Sequence, residues 1–236
     1  MSDYDVWAAD YDVWAAAMTA DIAWYVDLAR AAESPVVELA VGTGRVAIPL
    51  ARETGRRVIG IDRSPAMLAE ARRRVEAAGV PVELRLGDMR ELELEAPVDL
   101  IYCPFRSLMH LPTWADKRRV FERVAAALRP GGRFAWNAFA FSPFVAARNN
   151  AQRIPLGDTG LWEEVRHAPA DNRVDLTRGR EDGAQGTVQL WWATKSEWEG
   201  LVDVAGLEVE AVYGGFAGEP LDDDSPEFAW VARKPA

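Results

Sequence analysis

The sequence has very few of the residues that build disulfides and metal sites. It contains one cysteine, Cys103, and two histidines, His110 and His167, among 236 residues. A single cysteine cannot form a disulfide within the chain, and no Cys/His spacing is typical of a zinc site. We therefore expect neither an internal disulfide nor a metal cofactor.

Positively charged side chains are outnumbered by negatively charged ones. Lys and Arg together number 27 against 37 Asp and Glu, which gives a formal net charge of −10. A protein that binds nucleic acid through its phosphates needs a clustered basic face. The charge balance therefore predicts no nucleic-acid partner.

Long apolar runs are missing as well. No run reaches the ~18 residues of a membrane span, and the N-terminus is acidic where a secretory signal is basic and then apolar. Hydrophobic residues still make up 49% of the chain, enough for a packed core. We expect a soluble, cytoplasmic globular protein without a membrane partner. The sequence leaves open whether it is a monomer or a homodimer.

The first 34 residues are predicted to form helices that cover the rest or close over it as a lid. Residues 4–30 contain no Gly or Pro and interleave apolar with acidic positions. The motif Tyr-Asp-Val-Trp-Ala-Ala occurs at 4–9 and again at 11–16. Its two tryptophans therefore return to nearly the same face of a helix.

From residue 35 onward the pattern alternates between strands and helices. Apolar segments at 35–40, 57–62, 82–86, 98–102 and 133–139 are separated by helical segments and by a turn at 129–132. This spacing indicates βαβ units and an α/β fold with a parallel sheet. Strand-like segments at 161–167, 173–180 and 187–193 predict an inserted antiparallel meander, and 207–213 and 227–233 predict two last strands. We divide the chain into a core at 35–145 and 194–236 and an inserted, substrate-side subdomain at 146–193.

The strongest local motif is the first turn from strand to helix. Gly42 and Gly44 permit a tight turn and a close backbone approach to a ligand, and Ala47 stands where a third glycine is often found. Asp62 follows Gly42 by 20 positions and ends the next strand. An acid at this place accepts hydrogen bonds from ribose hydroxyls. The alternative is that Asp62 only caps the turn before Ser64.

Other side chains favour one nucleoside cofactor over another. The carboxylate of Glu38, just before the glycine turn, suits a cationic amino-acid group and repels a pyrophosphate. Asp88 and Met89 follow the third strand and offer a polar ligand and an apolar face for adenine. The chain has no second large domain to hold the substrate of a reductase. These features favour S-adenosylmethionine over a nicotinamide cofactor.

Four stretches together resemble the class I S-adenosylmethionine-dependent methyltransferases of the small-molecule type. They are VELAVGTGR at 37–45, GIDRSPAML at 60–68, GDM at 87–89 and LRPGG at 128–132. Val41 departs from the pattern, because the family often has Cys or Ser there. The resemblance covers nearly the whole chain and implies a doubly wound, Rossmann-like sheet of seven strands, five parallel ones and a C-terminal antiparallel pair, with the small antiparallel β-meander inserted.

The resemblance also implies roles for individual residues. Glu38 and Gly42 line the methionyl end of the cofactor, Asp62 binds the ribose, Asp88 and Met89 border the adenine, and Tyr11 reaches the carboxylate from the lid. The full set of candidate cofactor-binding residues is Tyr11, Glu38, Ala40, Gly42, Thr43, Gly44, Arg45, Asp62, Arg63, Met67, Asp88, Met89 and Cys103. Cys103 has no partner in the sequence that would make it a nucleophile.

The acceptor is expected at the carboxyl ends of the strands, where ligands bind in such sheets. His110 is the candidate proton acceptor, with a packing role as the alternative. Adjacent strand residues face opposite sides, so only one of Trp191 and Trp192 faces a pocket. We predict that Trp192 is the one that faces it. The candidate substrate-binding residues are Phe105, Arg106, Asn137, Trp192 and Tyr213. For Arg106 an ion pair with an acid of the protein is the competing role.

The sequence thus predicts an enzyme that moves a methyl group from S-adenosylmethionine to an O or N atom of a small organic molecule by in-line displacement. Holding two reactants in line contributes ~7–11 kcal/mol to such a barrier, so a shaped pocket matters more than a catalytic constellation. Two alternatives stay open, a nicotinamide-dependent oxidoreductase and an S-adenosylmethionine-binding module without turnover.

Overall fold

The structure, a computed structural model, describes residues 18–180, 183 and 185–236. The predicted helix over residues 4–30 is described only from residue 18 onward, and the candidate Tyr11 lies outside the described residues. The α-helices of the described part are α1 Ala20–Arg30, α2 Ala47–Thr54, α3 Pro65–Ala78, α4 Trp114–Ala127, α5 Pro143–Asn149 and α6 Lys195–Val204. Its strands are β1 Val36–Leu39, β2 Val58–Asp62, β3 Val82–Leu86, β4 Val98–Cys103, β5 Leu128–Phe139, β6 Arg153–Pro155, β7 Leu161–Ala168, β8 Arg173–Arg180, β9 Gln185–Trp191, β10 Glu208–Tyr213 and β11 Glu227–Arg233.

The strands form two sheets. The larger one has seven strands in the order β10-β11-β5-β4-β1-β2-β3. Strands β1 to β5 are parallel to one another, whereas β11 runs antiparallel to both β5 and β10. The smaller sheet contains β6 to β9, all paired antiparallel. The predicted fold class is confirmed.

Helix ends follow the capping residues that the sequence offers. Ser64 accepts a hydrogen bond from the Met67 backbone N–H, Pro65 occupies the first turn of α3, and Gly79 ends that helix with φ +63°. Thr194 and Glu197 form a reciprocal capping box at the start of α6. These local signals set where α3 begins and ends and where α6 begins.

The segment 129–132 differs from its prediction as a turn, because β5 begins at Leu128 and includes it. Gly131 has φ +78°, and the pairing with β4 shifts register between Val98 and Leu100. The backbone N–H of Gly131 donates to the Lys234 carbonyl, and Lys234 donates back to Gly132. These two hydrogen bonds keep the glycine segment within the sheet as an irregularity of the strand.

The inserted sheet also has parts that the pattern did not predict. Strand β6 and helix α5 precede the three expected strands, and the last of these, β9, begins and ends two residues earlier than expected. Both β6 and α5 are short, so they carry too little periodicity to be recognised from sequence.

Apolar side chains cover both faces of the large sheet. One face packs Phe121, Trp136, Trp198 and Trp230, each with no exposed surface, and the rings of Trp136 and Trp230 stack with centroids 5.4 Å apart. The other face packs against α1, whose Tyr25 is fully buried. None of the described helices is long and apolar enough to cross a membrane.

Candidate functional site

The turn after β1 is built from backbone hydrogen bonds and one carboxylate. Gly42 and Gly44 have φ +55° and +82°, which glycine adopts without strain. The backbone N–H of Gly42 donates to Oδ2 of Asp62, and that of Ser64 donates to Oδ1, each at 2.8 Å. Asp62 therefore caps the turn before α3, which was the alternative reading of its role, and it also holds the glycine turn in place.

A cavity of about 320 Å³ opens beside this turn, at the carboxyl ends of the parallel strands. This volume lies at the lower end of the ~300–1,000 Å³ typical of small-molecule sites. The described residues that line it are Ala40, Gly42, Ile61, Asp62, Arg63, Met67, Gly87, Asp88, Met89, Arg90, Phe105, Ser107, His110, Leu111, Pro112, Gln189 and Trp191.

Two carboxylates face this cavity in different electrostatic states. Burial raises the pKa of Asp62, although hydrogen bonds from the Ser64 and Gly42 backbone oppose the shift.

Asp88 accepts hydrogen bonds from the Arg90 backbone at 2.9 Å and from the Arg90 guanidinium at 2.7 Å. The hydrogen bond from that guanidinium is the main reason why the pKa of Asp88 lies below its usual range. Arg90 also pairs with Asp116 at 2.8 Å, so its orientation is fixed from two sides.

Glu38 lies beneath the glycine turn and is only 1% exposed. The hydroxyl of Tyr102 donates to its Oε2 at 2.8 Å. Burial raises the pKa of Glu38 to about 8, while the Tyr102 hydrogen bond acts in the opposite direction. Glu38 is not among the described residues that line the cavity.

The loop after β4 and strand β9 also line the cavity. Phe105, Ser107 and His110 come from the loop, and Gln189 and Trp191 come from alternate positions of β9. Because alternate residues of a strand share a face, Gln189 and Trp191 point to the same side.

Trp192 lies elsewhere, and this corrects the choice between the two adjacent tryptophans. Its ring stacks on Phe141 with centroids 4.4 Å apart and an interplanar angle of 6°. Trp191 takes the cavity position because neighbouring strand residues face opposite ways.

Two other candidate substrate residues form a polar network next to the cavity. Arg106 pairs with Glu227 at 2.6 Å, which is the competing role considered for it. Asn137 is 3% exposed and donates to Glu227 at 2.5 Å. Tyr213 lies half-buried at the end of the edge strand β10, where it bridges to Pro220.

The remaining described cofactor candidates, Thr43, Gly44, Arg45 and Cys103, are not among the residues that line the cavity. Thr43 is buried and accepts a hydrogen bond from Arg74 at 2.9 Å. Arg45 pairs with Asp21 at 2.6 Å. Cys103 is fully buried, which raises the pKa of its thiol, so the thiol stays protonated. Gly44 packs close to Ile48, because a Cβ at Gly44 would lie 3.0 Å from Cδ1 of that side chain.

Several lining residues were not anticipated from the sequence, namely Ile61, Gly87, Arg90, Ser107, Leu111, Pro112, Gln189 and Trp191. The position of Gln189 could have been predicted from the two-residue period of the strand, once Trp191 is placed on the cavity side. Arg90 carried no usable signal, since its role depends on Asp116, which is 26 residues further along the chain. Within the described ranges no group of three or more His, Cys, Asp or Glu is placed to hold a metal ion.

Comparison with known proteins identifies the class. Residues 36–132 match the family described as "Methyltransferase domain". The cypemycin N-terminal methyltransferase of a Streptomyces species is 28% identical over 84% of this chain and 82% of its own length. Further curated methyltransferases match over about half of the chain and about half of their own length.

Solved structures extend the likeness to the whole fold. The CcbJ methyltransferase of Streptomyces caelestis is 27% identical and superposes with a TM-score of 0.80 over 92% of this chain and 90% of that one. An S-adenosylmethionine-dependent methyltransferase of Clostridium acetobutylicum ATCC 824 gives 0.83 over 100% of both chains at 16% identity, which shows the shared fold.

The chain thus carries a methyltransferase domain at residues 36–132, within the fold of the S-adenosylmethionine-dependent methyltransferases. The recognition from sequence, the predicted methyl donor and the predicted reaction class are confirmed, and the nicotinamide-dependent alternative has no support among the relatives.

The residues of the cavity fit this methyl donor. A Cβ on Gly42 would meet no protein atom within 4 Å, so the turn leaves open space for a ligand beside its backbone. Asp62 brings a carboxylate to the end of β2, suited to ribose hydroxyls, and Met89 brings an apolar face. Gly42, Asp62 and Met89 thus provide close approach, polar acceptors and apolar contact within one cavity.

Proposed function

We propose that this enzyme methylates an amine nitrogen of a small organic molecule bound against the His110 side of the cavity. The observation that carries the proposal is that one cavity is lined both by the carboxylates Asp62 and Asp88 and by His110 and Trp191. A donor bound to the carboxylates and an acceptor bound to His110 and Trp191 would therefore share one cavity. The name of the cypemycin relative, an N-terminal methyltransferase, favours nitrogen over oxygen.

The methyl donor is assigned to the carboxylate side. We assign Gly42 to the methionyl end, Asp62 to the ribose hydroxyls and Asp88 with Met89 to the edge of the adenine, while Ala40, Arg63 and Met67 complete the surface. When bound, S-adenosylmethionine supplies a methyl group that its sulfonium makes electrophilic. Glu38 is assigned a place next to the methionyl end, as a buried acid that accepts a hydrogen bond from the Tyr102 hydroxyl.

The acceptor is assigned to the aromatic side. Trp191 and Phe105 offer ring faces to an organic or cationic group, worth ~0.5–2 kcal/mol per contact. An amine attacks only when it is neutral, so His110 accepts a proton from it or from a neighbouring water. The segment 146–193, which carries Gln189 and Trp191, serves as the substrate-side subdomain, and residues 1–34 serve as the cover of the site.

The binding part of the proposal is tested by calorimetric titration of the purified protein with S-adenosylhomocysteine, the expected product. Saturable heat is expected at micromolar to millimolar ligand. The absence of any heat at millimolar ligand would remove the assignment of this cavity.

Three variants map the ligand within the cavity. Asp62→Ala and Gly42→Val are expected to weaken binding roughly tenfold or more, because one loses charge-assisted hydrogen bonds and the other strains a backbone with positive φ. His110→Ala is the matched control, since it lines the same cavity on the acceptor side and should leave the affinity near the wild-type value. Equal losses in all three variants would contradict the division into two sides.

The acceptor class is tested by a screen of amines, phenols and carboxylates, with release of S-adenosylhomocysteine as the readout. Turnover is expected with members of the amine set. Turnover confined to phenols would overturn the choice of nitrogen, and binding without turnover on any set would favour a non-catalytic module.

A further inference from the structure

Two consecutive residues of the cavity wall have an unfavourable backbone conformation. Phe105 and Arg106 have φ +60° and +62°, in the left-handed region that residues with a side chain rarely occupy. Phe105 lines the cavity, and the same loop continues into Ser107 and His110, which line it too. Such a conformation persists only where surrounding contacts over-determine it.

One set of contacts reaches Phe105 from helix α1. Asp21 is only 4% exposed, and its two carboxylate oxygens accept hydrogen bonds from the two terminal guanidinium nitrogens of Arg45 at 2.7 and 2.6 Å. The same guanidinium lies over the ring of Phe105, 4.7 Å from its centroid. A bidentate pair fixes the plane of the guanidinium, so Asp21, together with the Met18 carbonyl that accepts a hydrogen bond from Arg45 at 2.6 Å, holds the surface against which Phe105 packs.

A second set reaches Arg106 from the next turn of the same helix. The hydroxyl of Tyr25, which is fully buried, donates to Oδ1 of Asn137 at 3.1 Å. The backbone N–H of Arg106 donates to that same oxygen at 3.4 Å. The amide nitrogen of Asn137 donates a hydrogen bond to Glu227, and Glu227 forms an ion pair with the Arg106 side chain at 2.6 Å. Tyr25 therefore orients the amide that holds both the backbone and the ion pair of Arg106.

Asp21 and Tyr25 are four residues apart and so lie on one face of α1. We infer that helix α1 is a positioning element of the binding site, in which Asp21 and Tyr25 hold Phe105 and Arg106 in the conformation that the cavity wall requires. The inference rests on the proposed binding of the methyl donor in this cavity, because Arg45 directly follows the glycine turn assigned to the donor and packs on Phe105, so that a shift of the loop is passed on to the turn. Undocking of α1 would release the wall without altering a residue that touches the ligand.

The test uses Tyr25→Phe and Asp21→Asn in the full chain. Tyr25→Phe removes one hydroxyl and keeps the ring packed against Tyr102, whereas Asp21→Asn removes the charge that fixes Arg45. We expect the affinity for S-adenosylhomocysteine to fall about fivefold and about tenfold, respectively. Hydrogen exchange in the segment 103–110 should become faster in both variants, while exchange in β1 stays slow.

Two controls separate positioning from a loss of stability. Asp27→Asn changes an acid on the same helix whose side chain is 74% exposed and paired with Arg30, and it should match the wild type in both readouts. Val202→Ala truncates a buried residue of α6 and should lower the melting temperature while leaving the affinity unchanged.

The outcomes separate the two proposals. If wild-type protein does not bind S-adenosylhomocysteine, the assignment of the cavity fails before α1 is tested. If wild-type protein binds and either readout stays at its wild-type value in both variants, the positioning role of α1 is overturned while the assigned cavity stands.

Discussion

Glu38 is an acid enclosed by the sheet rather than exposed at its edge. It lies in the fully buried strand β1, and the hydroxyl of Tyr102 provides its hydrogen bond. The carboxylate form lacks the solvation that water would give it, so burial raises the pKa to about 8 from an ordinary value of 4.5. The charge state of Glu38 therefore changes near neutral pH.

This shift predicts how stability depends on pH. The folded protein keeps a proton on Glu38 that the unfolded chain loses at lower pH. The stability that comes from this proton is fully present below pH 4.5 and is lost as pH rises through about 8. We expect the melting temperature of the wild type to fall between these values. Glu38→Gln, which keeps the shape and accepts the same hydrogen bond, should show a flatter profile.

Thermal denaturation across this pH range, followed for both proteins, measures the effect. The difference between the two profiles isolates Glu38 from the other titrating groups. Parallel profiles would mean that Glu38 is ionised in the folded protein at the lower end of the range.

At the scale of the elements, the contact between β2 and the glycine turn leaves no room for a side chain. A Cβ on Gly60 would lie 2.7 Å from Cγ2 of Val41 and 2.9 Å from its Cβ. Gly60→Ala is expected to destabilise the protein by ~1–3 kcal/mol through overpacking. Chemical denaturation measures the change.

Gly200 offers a matched control in helix α6. A Cβ there meets nothing within 4 Å, and its backbone is helical. Gly200→Ala should therefore stabilise the protein by ~0.5–1 kcal/mol. Similar effects of both substitutions, in sign and size, would contradict the close packing of Val41 on β2.

Strand β9 shows how much of the site the sequence could predict. The two-residue period required that one of Trp191 and Trp192 face away from the cavity, and this holds. Which one faces it depends on where β9 meets the loop at 107–110, a contact between residues about 80 positions apart. A local period gives the alternation of side chains but carries no information about such a long-range contact.

At the scale of the whole molecule, the ligand couples elements that are distant in sequence. The cavity joins β1, β2, the segment after β3, the loop after β4 and strand β9 of the second sheet. A ligand that binds only the folded state at 100 times its dissociation constant adds ~2.7 kcal/mol of stability. For a chain of this length we expect S-adenosylhomocysteine to raise the melting temperature by roughly 5–10 °C.

A thermal-shift series with S-adenosylhomocysteine and, separately, NAD measures this coupling. NAD should leave the melting temperature unchanged, because the backbone N–H of Gly42, which would meet a pyrophosphate at the glycine turn, already donates to the carboxylate of Asp62. A shift with NAD alone would argue against the assigned ligand.

The sequence by itself determined the order of strands and helices of the large sheet, the glycine turn and the acids at the strand ends. These features depend on local backbone preferences, on capping residues such as Ser64 and Thr194, and on burial periods that repeat within a few residues. Only the tertiary structure decided that Arg90 neutralises Asp88, that Trp191 faces the cavity and that α1 supports Phe105 and Arg106. Each of those arrangements needs side chains from separate elements to meet at hydrogen-bonding or packing distance. That meeting is set by the way the whole sheet and its helices pack together.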